Sequence, residues 1–145
     1  MAHASDTVLL VLVPELTSIS DSYGLFKQLR KTDSALDCRL VVNRAETASE
    51  AEFIHNKLCA VTERFLGSMP VYLGHVVEDR QVRESVAGQT AVTRVAPESQ
   101  VAQELTSLAQ ALARIHGIST EAVSGRLTNT QNEINKTTAL ADIRE

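Results

Sequence analysis

Apolar residues follow two rhythms along this chain. Residues 7–13, "TVLLVLV", are a continuous run of β-branched and leucine positions without alternation. Such a run predicts a strand buried on both faces of a parallel sheet covered by helices. The period then changes. Ser18 is placed to cap a helix whose inner stripe is Ile19, Tyr23, Phe26 and Leu29 or Arg30. Residues 38–43, "CRLVVN", predict a second short strand. In "TASEAEFIHNKLCAVTERFLG", Ser49 and Glu52 read as a capping box and Gly67 as the stop. Between them Ala51, Ile54, Leu58, Val61 and Phe65 recur at 3-4-3-4 spacing, the strongest helical signal in the chain.

A third strand is expected over residues 70–76, then a helix capped by Asp79 that turns Val82 and Val86 inward and ends at Gly88. Residues 91–95 read as a short extended segment before Pro97. The last helix carries Val101, Leu105, Leu108, Leu112 and Ile115 at 4-3-4-3 spacing. The order β-α-β-α-β-α-(β)-α predicts an α/β fold: three layers around a mainly parallel sheet with right-handed crossovers. This domain spans residues 1–116. Residues 117–145, rich in Thr, Asn, Ser and Gln with isolated apolar positions, predict a polar, flexible tail.

With 145 residues the chain is long enough for one core but not two. Hydrophobic residues make up 43% and aromatics only 3%, with no Trp, so that core is built from Val, Leu, Ile and Ala. A net charge of −4, with no Lys/Arg run, argues against an electrostatic nucleic-acid partner. Cys38 and Cys59 form no CxxC pair and read as two buried free thiols of a reducing compartment. The apolar run ending at Pro14 is too short to span a membrane, so no stable membrane insertion is expected and the expected location is cytoplasmic.

No GxxxxGK[ST], GxGxxG, GxSxG, HExxH or CxxC occurs, and the four histidines (3, 55, 75, 116) are too scattered to suggest a metal site. Catalytic residues are therefore not assigned. The informative positions lie after the predicted strands, where open α/β sheets place ligands: "VPELTSISD" (13–21), "VVNR" (41–44) and "GHVVEDR" (74–80). Asn43 offers a carbonyl and an NH₂ together, a pair that complements the N6 donor and N7 acceptor of adenine; a turn-capping role explains it as well. Asp79 is accounted for as a helix cap. Glu15 and Asp21 have no equally good structural reason and stand as functional candidates.

Four segments in linked order carry a resemblance: "VPELTSISDSYGLFKQL", "RLVVNRAETASEAEFIHNKLCAVTERFLG", "YLGHVVEDRQVRESVAGQTAV" and "PESQVAQELTSLAQALAR". Together they resemble the carboxyl-terminal half of the MinD/ParA family of deviant-Walker ATPases, in particular the flagellar-number regulators of the FlhG (FleN, MinD-like) type. The likeness covers about residues 6–115. It implies half of a P-loop NTPase-like fold that binds ATP, dimerises around it and acts as a positional or regulatory switch. It also implies a base-binding edge formed by Asn43 and Arg44 with Val77, Glu78 and Asp79, where Val77 replaces the proline of the usual "PED". Glu15 and Asp21 would face the nucleotide and the dimer interface. The family's P-loop, signature lysine and switch aspartates belong to a first half that this sequence does not contain, and no basic amphipathic membrane helix is visible.

The resulting expectation is a non-catalytic regulatory or interaction protein of flagellar or other cell-pole organelle control, with at most weak ATP or ADP binding. The alternative is an adenine-nucleotide-binding half-domain that needs a separate P-loop half for ATPase activity. In either case strand 7–13 is expected to be covered by a second copy or by a partner protein.

Overall fold

A computed structural model of the protein describes residues 7–119. Three strands, β1 (Thr7–Leu12), β2 (Asp37–Ala45) and β3 (Val71–Val77), form a parallel sheet in the order β1-β2-β3. Helices α1 (Leu16–Thr32) and α2 (Ala48–Leu66) make the two crossovers. After β3 come α3 (Arg80–Ala87), a single turn α4 (Val92–Val95) and α5 (Gln100–Ile115). The expected tail lies outside the described residues from position 120 onward.

Two apolar clusters lie on opposite faces of this sheet. On one face Leu10 and Leu12 of β1 and Cys38, Leu40 and Val42 of β2 meet Phe26 of α1 and Ala51, Ile54 and Leu58 of α2. On the other, Val76 of β3 packs with Val92 and Val101, joined by Val82 and Leu108. The layers are therefore α1/α2, the sheet, and α5 with the turns before it. Alternation explains the division. Successive strand side chains point to opposite faces, so Leu10 and Leu12 turn inward while Leu9 and Val11 stand 41% and 56% exposed. The unbroken apolar run suggested burial on both faces. Here β1 is at the sheet edge, and α5 contacts β3 rather than β1, so among the described residues one face of β1 stays open.

Local starts and stops differ from the sequence pattern in instructive ways. Helix α1 begins at Leu16 with Glu15 as its cap residue; Ser18 does not cap it, because its hydroxyl accepts from the Val13 N–H and closes the turn out of β1. Helix α2 is capped by Thr47, which accepts from Glu50 N, not by Ser49 and Glu52; the Glu50 carboxylate in turn takes the Glu46 N–H. A related reciprocal pair thus sits two residues earlier, its carboxylate reaching the residue before the cap. Gly67 ends α2 at φ +64, as expected of a left-handed C-cap. Residues 91–95 are not extended. Ala91 O accepts from Arg94 N and Val95 N, and Val92 is drawn into the second cluster, which winds them into a turn.

Candidate functional site

The parallel strands end together, and a cavity of about 560 Å³ opens at their carboxyl ends. Asn43 and Arg44 bring one wall from the end of β2; Val76, Val77, Glu78 and Asp79 bring another from β3 and the turn after it. Val101 and Leu105 of α5 close the apolar side. All five residues expected at a base-binding edge thus line one cavity. The acidic pair does not join them. Glu15 stands exposed at the N-cap position of α1 without a side-chain capping bond, near enough that its charge bears on Arg44, and Asp21 is exposed on α1.

The strand ends are shaped by a bulge. Asn43 pairs with Val76 and Ala45 with Val77, so Arg44 is left over between them. It adopts φ +58, a left-handed conformation that is uncommon outside glycine. That twist turns its side chain across to the next strand, where Arg44 Nε donates to Glu78 Oε2 at 2.7 Å. The Ala45 carbonyl accepts the Glu78 N–H at 2.8 Å, so the two loops are tied by backbone and side chain together. Arg83 Nη2 lies 4.0 Å from the other Glu78 oxygen. The hydrogen bond from Arg44 holds the Glu78 carboxyl below its ordinary range, with the charges of Arg44 and Arg83 adding to it and desolvation opposing.

Asn43 Oδ1 accepts the Arg44 N–H at 3.0 Å. This contact orients the carboxamide and leaves a second lone pair on the oxygen. Asp79 caps α3 by accepting from Gln81 N at 2.8 Å. The arrangement is a concave, largely apolar slot with one oriented amide and a fixed ion pair at its rim. It suits a flat heteroaromatic ring that carries a hydrogen-bonding edge. Val101 and Leu105 were legible as apolar helix positions and Val92 was not singled out, and nothing local to the three signals a cavity; only the packing of α4 and α5 beside β3 brings them to it. Among the described residues no group of three His, Cys, Asp or Glu side chains is arranged to hold a metal ion.

Comparisons with known proteins bear on this architecture. No family model matches the chain. Over 108 residues it is 36% identical to the Antiactivator FleN of Pseudomonas aeruginosa, an alignment that covers 74% of this chain and 39% of FleN. The solved cell division ATPase MinD of Pyrococcus furiosus superposes with a TM-score of 0.59 at 22% identity, covering 77% of this chain and 44% of that one. The chain thus spans less than half the length of either protein. By sequence the chain is similar to a portion of FleN, and by fold its described part is similar to a portion of MinD.

Proposed function

We propose that this chain is a regulatory module that recognises an adenine base at the carboxyl end of its sheet and acts in flagellar, or other cell-pole organelle, control without hydrolysing ATP itself. The observation that carries the base-site reading is the single cavity that gathers Asn43, Arg44, Val77, Glu78 and Asp79. Its apolar walls fit a purine ring, and the Asn43 amide, held by Arg44 N, fits the N6 and N7 edge. Arg44 is already paired with Glu78 and Arg83 lies 4.0 Å from the same carboxylate, so part of the nearby positive charge is balanced before any phosphate arrives. The regulatory reading rests on similarity to a protein described as an antiactivator, and the cytoplasm is the compartment that fits it. A second reading is an adenine-nucleotide-binding half-domain that needs a separate P-loop half for ATPase activity. Among the described residues β1 has an open edge and an open face, which favours it, since both are features that another polypeptide would cover.

Calorimetric titration tests the proposal. AMP, ADP and ATP are expected to bind with similar affinities in the high-micromolar to millimolar range, because most nucleotide affinity normally comes from the phosphates. GMP should bind more weakly, and Asn43→Ala should abolish the difference. Phosphate release from ATP is expected to stay at the buffer level, since phosphoryl transfer relies on a P-loop lysine beside Mg²⁺ and this sequence holds no GxxxxGK[ST]. ATP that binds far more tightly than AMP, or turnover that persists through repurification, would contradict the proposal. Phosphate release appearing only on mixing with a P-loop partner would favour the half-domain.

A further inference from the structure

Glu104 sits in the second turn of α5, where that helix crosses β3, with its side chain only 16% exposed. Both carboxylate oxygens are engaged. Oε2 accepts the Val77 backbone N–H at 2.8 Å, and Oε1 accepts from Gln100 Nε2 at 3.0 Å. His75 Nε2 lies 3.6 Å from Oε1, and His75 Nδ1 is 3.1 Å from the Tyr72 hydroxyl. A polar line thus runs from β3 into α5 through one carboxylate.

Val77 is the last residue of β3, beside the point where the ladder slips between Asn43 and Ala45. A bulge interrupts the regular ladder, and a half-buried amide next to it needs an acceptor. Glu104 supplies a charged one, the stronger kind. The cavity wall of Val77, Glu78 and Asp79 starts from that amide. At its far end the wall is tied to β2 by the Glu78 N–H and to α3 by the Asp79 cap. We infer that Glu104 is a positioning residue for the cavity: it does not line the slot, and it fixes the backbone of the Val77–Asp79 wall from behind by holding the Val77 amide across the β3–α5 seam. The effect on binding rests on the base-site reading; the anchoring of the wall does not.

The two parts are tested separately in the full chain. In Glu104→Ala, hydrogen exchange at the Val77 amide is expected to accelerate on the order of tenfold to a hundredfold, the range that a hydrogen bond to a carboxylate implies. Amides in the middle of β2 are expected to keep their wild-type rates. Glu104→Gln retains a carbonyl oxygen at the same reach and is expected to restore most of the Val77 protection. AMP affinity is expected to follow the same ranking, wild type above Gln above Ala. Unchanged Val77 exchange in Glu104→Ala, or equal acceleration throughout the sheet, would overturn the anchoring role. Should the Ala variant not fold, the wild-type protein decides. A scalar coupling through the hydrogen bond, between the Val77 amide nitrogen and the Glu104 carboxyl carbon, is expected, and its absence overturns the inference. If AMP fails to bind wild-type protein, the base-site reading falls, while exchange and coupling still decide the role of Glu104.

Discussion

At the scale of residues, the site rests on a left-handed Arg44 that reaches Glu78 and on an Asn43 amide oriented by the Arg44 N–H. The ion pair carries a pH signature whose sign follows from the shift. The hydrogen bond from Arg44 lowers the Glu78 carboxyl below its ordinary value of 4.5, desolvation opposes it, and the charges of Arg44 and Arg83 assist. A carboxylate with a lowered folded pKa contributes stability that is present above 4.5 and lost as pH falls through the lowered value. An NMR titration of the Glu78 carboxyl carbon should therefore give a midpoint below 4.5, moving up towards it in Arg44→Ala; a midpoint that ignores the substitution would remove the pair from the account. Asn43 and Asp79 were legible from sequence because each ends a strong pattern, a strand in one case and a cap in the other. The Arg44–Glu78 tie was not. It joins residues 34 positions apart, and its geometry depends on a bulge that leaves no local mark.

At the scale of elements, type and order were readable except at residues 91–95, expected extended and found as a helical turn, and which face points inward was readable only where the buried residues are apolar. The 3-4-3-4 stripe on α2 names Val61 and Phe65 as inner positions, yet they are 42% and 64% exposed. The inner face instead runs through Thr62, fully buried because its hydroxyl donates to Leu58 O and Cys59 O, and on to Leu66. The same substitution of roles occurs on α3. Val86 is 71% exposed and Ser85 is buried, its hydroxyl satisfied by Val82 O. A hydroxyl that bonds back to its own helix buries cheaply, and a pattern search that counts it as polar rotates the helix wrongly. Two glycines mark where backbones need freedom: Gly67 in its left-handed cap, and Gly74 at φ +154, where an added Cβ would come 2.8 Å from Leu108 Cδ2. Gly74→Ala strains β3 and presses on α5 together. It should cost about 1–3 kcal/mol in urea unfolding. A variant as stable as wild type would mean that α5 packs on β3 less closely than described.

At the scale of the whole molecule, one sheet face is sealed by α1 and α2, while the other is covered by α5 over β3 and, among the described residues, left open over β1. Residues 7–13 looked like an interior strand because they have the composition of one, and composition alone cannot report how much of the surrounding sheet a given chain supplies. Leu9 and Val11 on an edge strand, without Lys or Pro before Pro14, form a template for pairing. We expect light scattering after size exclusion to show a dimer or larger oligomer at tens of micromolar, reduced to monomer by Val11→Lys; a wild-type monomer that the substitution leaves unchanged would contradict this. The cavity at the carboxyl end of the sheet is expected to read adenine. It is tested most directly by amide chemical-shift mapping as ATP is added to millimolar concentration. Shifts should concentrate at residues 43–44 and 77–79 and vanish in Asn43→Ala. Shifts confined to other parts of the chain, or an unchanged response in Asn43→Ala, would contradict it.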